Sequence, residues 1–226
     1  MESAPSLPSR RRPLDERFDA VQNELLRMGG LVDQAIDRSV QALRGHDRTL
    51  AETVIAGDAE MNRMRYEVEE ACLTLIATQQ PAAGDLRAIL AIDAIAVELE
   101  RMGDHAEGIA KIVLRMGDEP PVKPLVEIPK MADLCRTMLK QSLDTFLARD
   151  PKAARRVGEQ DDEIDNLYRM LFDELVSIMA RDPSTVERGT YLLWTAHNLE
   201  RIGDRITNIS ERVIFMTTGQ IGMVYP

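Results

Sequence analysis

Three observations predict an all-α fold of two tandem three-helix bundles related by internal duplication. Leu, Ala, Met, Glu and Arg dominate the 226 residues and aromatics make up only 4%, a composition that favours helices over strands. Apolar residues recur every three or four positions through long stretches, as they do along one stripe of a helix. The second half then repeats the first at a nearly constant offset, the mark of a duplicated unit.

The elements follow in order. Residues 1–15 read as a disordered tail: they hold Arg10, Arg11 and Arg12 but no apolar run after them, so the segment is neither a secretory signal nor a membrane anchor. The first repeat spans 16–117. Its first helix carries Phe18, Val21, Leu25, Met28, Val32, Ile36, Val40 and Leu43 on one stripe. A second helix over 48–78 places Met61, Met64, Val68, Cys72 and Ile76 in its seam, and QQPAAGD ends it. A third over 86–116 carries Ile95, Leu99, Met102, Ala106, Ile109 and Val113. Prolines 120, 121, 124 and 129 cannot continue a helix, and 118–126 is the linker between the halves. The second repeat, 127–217, is predicted to hold helices over 128–149, 152–180 and 185–217, followed by a tail over 218–226.

The duplication can be checked residue by residue. At an offset of 103, Met28, Val32, Ile36, Val40 and Leu43 fall on Met131, Cys135, Leu139, Leu143 and Phe146, while Asp47 falls on Asp150 and Asp58 on Asp161. Beyond the second loop the offset is 100, so Leu99-Glu100-Arg101-Met102-Gly103-Asp104 falls on Leu199-Glu200-Arg201-Ile202-Gly203-Asp204. A three-residue slip is tolerated in a loop, whereas inside a packed helix it would turn the apolar face away from the core.

Bulk properties exclude several classes. The formal charge of −10 repels phosphate backbones, which argues against a nucleic-acid partner. No stretch reaches the roughly 20 apolar residues a membrane span needs, so no membrane insertion is expected. The two cysteines, Cys72 and Cys135, form no CxxC and read as small buried hydrophobes of a reducing, cytoplasmic compartment.

The chemistry-bearing residues are acids at helical spacing. Glu100 and Asp104 are four apart, as are Glu200 and Asp204, so each pair shares a helix face. Like charges so placed repel, and more strongly once desolvated, so a pair used twice calls for a compensating cation. Antiparallel packing of the second and third helices sets Asp58 level with the first pair, and Asp161 and Asp165 level with the second. Asn208, one turn beyond Asp204, could add a carbonyl oxygen. Such oxygen-rich sets suit hard cations, namely iron(III), manganese, magnesium or calcium, better than structural zinc. A plain surface salt-bridge network is the alternative reading of the same residues. Gly103 and Gly203 lie mid-helix, where glycine costs about 1 kcal/mol against alanine, and close helix approach would explain both.

With these residues in view, LERMGDHAEGIAK and LERIGDRITNISE resemble the duplicated signature of the PhoU family of bacterial phosphate-uptake regulators. QQPAAGDLR resembles the loop after that family's second helix. The resemblance implies a multinuclear iron or zinc cluster on each bundle, with Glu100, Asp104, Glu200 and Asp204 as motif ligands. It also implies a negative regulator of the phosphate-starvation response. Such a protein is an adaptor that contacts the ATPase of the phosphate ABC transporter and a sensor histidine kinase, a homodimer and not an enzyme. Gly108 stands where the second half has Asn208, which puts the first site in doubt. The alternatives are a purely structural helical scaffold and a metal-dependent phosphatase or other carboxylate-metal helical-bundle enzyme. The ferritin-like class needs Glu-x-x-His pairs, and the residues three before His46, His105 and His197 are Leu43, Met102 and Trp194.

Overall fold

The computed structural model describes residues 11–220. The helices are α1 (Arg11–Gly45), α2 (Arg48–Gln79), α3 (Ala83–Met116), α4 (Glu127–Ala148), α5 (Pro151–Gly158), α6 (Asp161–Arg181) and α7 (Val186–Thr218). A short 3₁₀ turn, Pro183–Thr185, precedes α7, and no strand occurs among the described residues.

Local chemistry sets the turn before the second helix alike in the two halves. Asp47 accepts the Leu50 N–H to cap α2, and Asp150 accepts the Lys152 and Ala153 N–H groups to cap α5. The residues just before these caps, His46 and Arg149, both take the left-handed conformation with φ of 51° and 50°. The two turns therefore share one geometry at the offset of 103 read from the sequence.

Three boundaries differ from expectation. The helix anticipated over 152–180 is broken: Gln160 N donates to Val157 O and Glu163 N to Gln160 O, the tighter i to i−3 spacing that separates α5 from α6. Gly158, a poor helix former, stands at the break, where the first half has Ile55 and runs on unbroken. At the N-terminus, α1 begins at Arg11, inside the segment anticipated as a tail; Pro13 falls in its first turn, where a missing N–H leaves no bond unmade. At the other end α7 runs to Thr218. Residues 1–10 and 221–226, the remainder of both tails, lie outside the described residues.

The halves share one core. Buried side chains from both repeats, such as Leu25, Met64, Ile92 and Leu99 of the first and Met131, Phe146, Ile164 and Ile202 of the second, form a single cluster. Helix α3 is the reason, because its buried positions cover more than one face. One face meets α1 and α2, and another lies along α7, its most extensive partner. Arg87 donating to Met216 O at one end and His105 bonding to Asn198 nearer the other show that α3 and α7 run antiparallel. A second junction joins α1 to α4, where Arg136 donates to Asp33 at 2.9 and 3.1 Å and to Asp37 at 2.9 Å. Cys72 and Cys135 are free, buried thiols, and burial pushes Cys72 up to about 12.

Candidate metal centre

In the second half, the acids come from α6 and α7. Asp161 opens α6 and Asp165 follows one turn later, while Glu200 and Asp204 project from α7. Burial, then the charges of Asp165 and Asp204, push Asp161 from an ordinary 3.8 up to about 7. Burial followed by the charge of Asp204 raises Asp165, and burial raises Glu200 against the opposing pull of Arg201. Asp161, Asp165, Glu200 and Asp204 thus lie near enough for their charges to act on one another as one acidic group. Arg201 braces it from outside, with Nε 3.1 Å from Glu200 and Nη1 2.9 Å from Asp204.

The first half builds the matching arrangement from α2 and α3. Burial, then the charges of Glu107 and Asp104, raise Asp58, and burial followed by Asp104 raises Glu100. Arg101 stands 3.5 Å from Glu100 and 3.3 Å from Asp104, as its counterpart does in the other half. Asp58 also lines a cavity of about 80 Å³ between α1, α2 and α3 with Arg38, Gly57, Met61 and Gly103, and neither Glu100 nor Asp104 borders it.

Both glycines act through space. A Cβ on Gly203 would lie 2.3 Å from Asp161 Oδ1 and 3.1 Å from Ile164, and one on Gly103 would lie 3.3 Å from Met61. Met61 and Ile164 are counterparts at the offset of 103. Glycine therefore allows the neighbouring helix to approach closely in each half, as the sequence suggested, and at Gly203 it also admits a carboxylate.

The fit to a cation rests on atoms left without partners. Asp58 Oδ1, Asp161 Oδ1 and Glu200 Oε2 are buried and make no hydrogen bond; Glu200 Oε2 has only the ion-pair contact with Arg201 and a 3.4 Å approach to His197. A buried carboxylate oxygen without a donor is costly, and a hard cation is the natural partner for oxygens of this kind. Among the described residues, no three of His, Cys, Asp and Glu meet at a distance that would hold a metal ion. Glu100, Asp104 and Asp58 would hold a cation in the first half, and Asp161, Asp165, Glu200 and Asp204 in the second.

Asn208 is placed elsewhere. Its Nδ2 donates to Glu98 Oε2 at 3.2 Å across the α3–α7 junction, where Arg205 also approaches Glu98 at 3.4 Å. The symmetry-related spot holds His105 bonded to Asn198 at 3.0 Å, and a Cβ on Gly108 would lie 3.0 Å from Asn198 Oδ1. Gly108 thus makes room for Asn198 at the junction between the halves.

Sequence reasoning missed Glu107 and Lys111, which pair at 2.6 Å beside Asp58. Their signal was present: Asp104, Glu107 and Lys111 follow one another at three- and four-residue spacing on one helix face.

Comparison with known proteins agrees with this architecture. The family model described as PhoU domain matches twice, at residues 25–113 and 128–213. A phosphate-specific transport system accessory protein PhoU homolog from Clostridium acetobutylicum is 38% identical over 211 residues, covering 93% of this chain and 96% of that protein. A homolog of the same name from Aquifex aeolicus is 37% identical over 208 residues, covering 92% and 94%. The crystal structure of PhoU from Pseudomonas aeruginosa superposes with a TM-score of 0.87 at 34% identity, covering 91% of this chain and 99% of that one. Repeated twice along the chain and preserved in three dimensions, these matches show that the protein belongs to the PhoU family.

Proposed function

We infer that this chain is a negative regulator of the phosphate-starvation response, acting as a metal-binding adaptor between the phosphate ABC transporter and a sensor histidine kinase. The names of its relatives, accessory proteins of a phosphate-specific transport system, support the link to the transporter. In this reading the protein works in the cytoplasm as a homodimer and performs no catalysis. Iron, zinc or another oxygen-seeking cation sits on the paired acids of each half. The observation that carries the metal reading is the set of buried, unpartnered oxygens of Asp58, Asp161 and Glu200.

One experiment tests both parts: elemental analysis of protein purified from phosphate-replete cells, combined with capture of the cognate transporter ATPase and kinase. The wild type is expected to carry metal and retain a partner. Glu100→Ala with Glu200→Ala should lose the metal while circular dichroism still shows a folded helical protein. A metal-free wild type rejects the metal reading, and failure to retain either partner rejects the adaptor reading.

A further inference from the structure

The duplication supplies an internal comparison between the two acid clusters. Asp58 corresponds to Asp161, Glu100 to Glu200 and Asp104 to Asp204, but the flanking positions have diverged. Asn62 corresponds to Asp165, Glu107 to Thr207 and Lys111 to Glu211.

In the first half these differences supply internal compensation. Asn62 Nδ2 donates to Asp58 Oδ2 at 2.7 Å, so one oxygen of that carboxylate already has a donor. Lys111 Nζ lies 2.6 Å from Glu107, and its charge also reaches Asp58. Arg65 contributes at Glu100. The first cluster therefore has a lysine beside it on a flexible tether, half exposed and paired with Glu107, whose own charge acts on Asp58 more strongly than the lysine does.

The second half is compensated differently: Thr207 hydrogen-bonds Asp161, and Arg169 and Arg201 act on Asp165, but no lysine stands on α7 at the position of Lys111. A carboxylate, Asp165, stands where Asn62 donates in the first half, and Glu211 reverses the charge at the position of Lys111. Two buried carboxylate oxygens are without hydrogen-bond partners, Asp161 Oδ1 and Glu200 Oε2, against one in the first half. Asp161 is also pressed against the α7 backbone at Gly203, which positions its carboxylate beside Asp204.

We propose that the two clusters bind cations unequally, the second half being the tight site and the first a weak one at which Lys111 acts as a tethered competitor. This rests on the metal-binding reading above. A single opposite charge removed from within several ångströms of a half-buried site changes cation affinity by roughly threefold to tenfold. Loading is consequently sequential: the second half fills at low cation concentration, and the first fills only as the concentration rises.

Manganese(II) titration of the metal-stripped, full-length protein, followed by calorimetry and by the electron paramagnetic resonance signal of free ion, tests this. The wild type should show two classes of site whose affinities differ by at least about tenfold. Lys111→Met keeps the length of an exposed side chain and should tighten only the weak class, by about threefold to tenfold. Asp161→Asn should remove the tight class and leave the weak one. Two equal classes, an unchanged weak class in Lys111→Met, or loss of the weak class in Asp161→Asn would each overturn the ordering while leaving the metal reading intact. No manganese binding by the wild type would sink both.

Discussion

Asp161 shows how a single side chain ties site and stability together. In the folded chain it holds its proton up to about pH 7, whereas an unfolded chain releases it near 3.8. Folding therefore takes up a proton between those values, and ionising Asp161 progressively destabilises the metal-free fold as pH rises from about 4 to 7. Asp161→Asn is expected to stabilise the metal-free protein by about 1–2 kcal/mol at pH 8, once solvent screening is allowed for. The gain should vanish below about pH 4, and denaturant melts of both proteins in chelator across that range check it. Much at this scale was legible in the sequence: the paired acids and the mid-helix glycines stood out by spacing alone. Spacing gives the helical face of Asn208 only approximately, and a side chain one turn further along can turn its amide to a neighbouring helix. Glu98, which captures it, lies 110 positions away, beyond the reach of any local pattern.

The α3–α7 junction is best understood one helix pair at a time. Its two polar contacts are alternative solutions to one geometry: Glu98 with Arg205 and Asn208 on one side, Asn198 with His105 and Gly108 on the other. Gly108→Asn alone should destabilise the fold by about 1 kcal/mol, because the new side chain meets Asn198. Combining it with Asn198→Glu and His105→Arg rebuilds the opposite contact and should recover most of the loss, a coupling that thermal melts of the single and triple variants will measure. The helices themselves were readable from apolar periodicity, and the correspondence of Asp47 with Asp150 from the offset. The break after Gly158 was not, because residues on both sides keep helical spacing and only the local switch in hydrogen bonding separates α5 from α6.

The molecule as a whole has one continuous core built from two copies. The sequence showed the copies clearly and suggested separate bundles, since each half has three long stripes of its own. It could not show that α3 and α7 carry further buried faces turned toward each other, because periodicity reports that a face is apolar without saying what covers it. Trp194, the single tryptophan, sits on α7 and reports on the second repeat, whereas far-ultraviolet dichroism reports on both. Denaturant unfolding should give coincident curves from the two signals; an early fluorescence transition would mean that the repeats melt independently. The antiparallel pairing of α3 with α7 has a consequence for how such a chain can grow. Each copy offers the same surface and receives the same surface in return, so the association closes on itself at two members. A third copy appended to this gene would find no vacant mate. Its inner helix would face water, and the longer chain would be driven to aggregate or to join a second such chain.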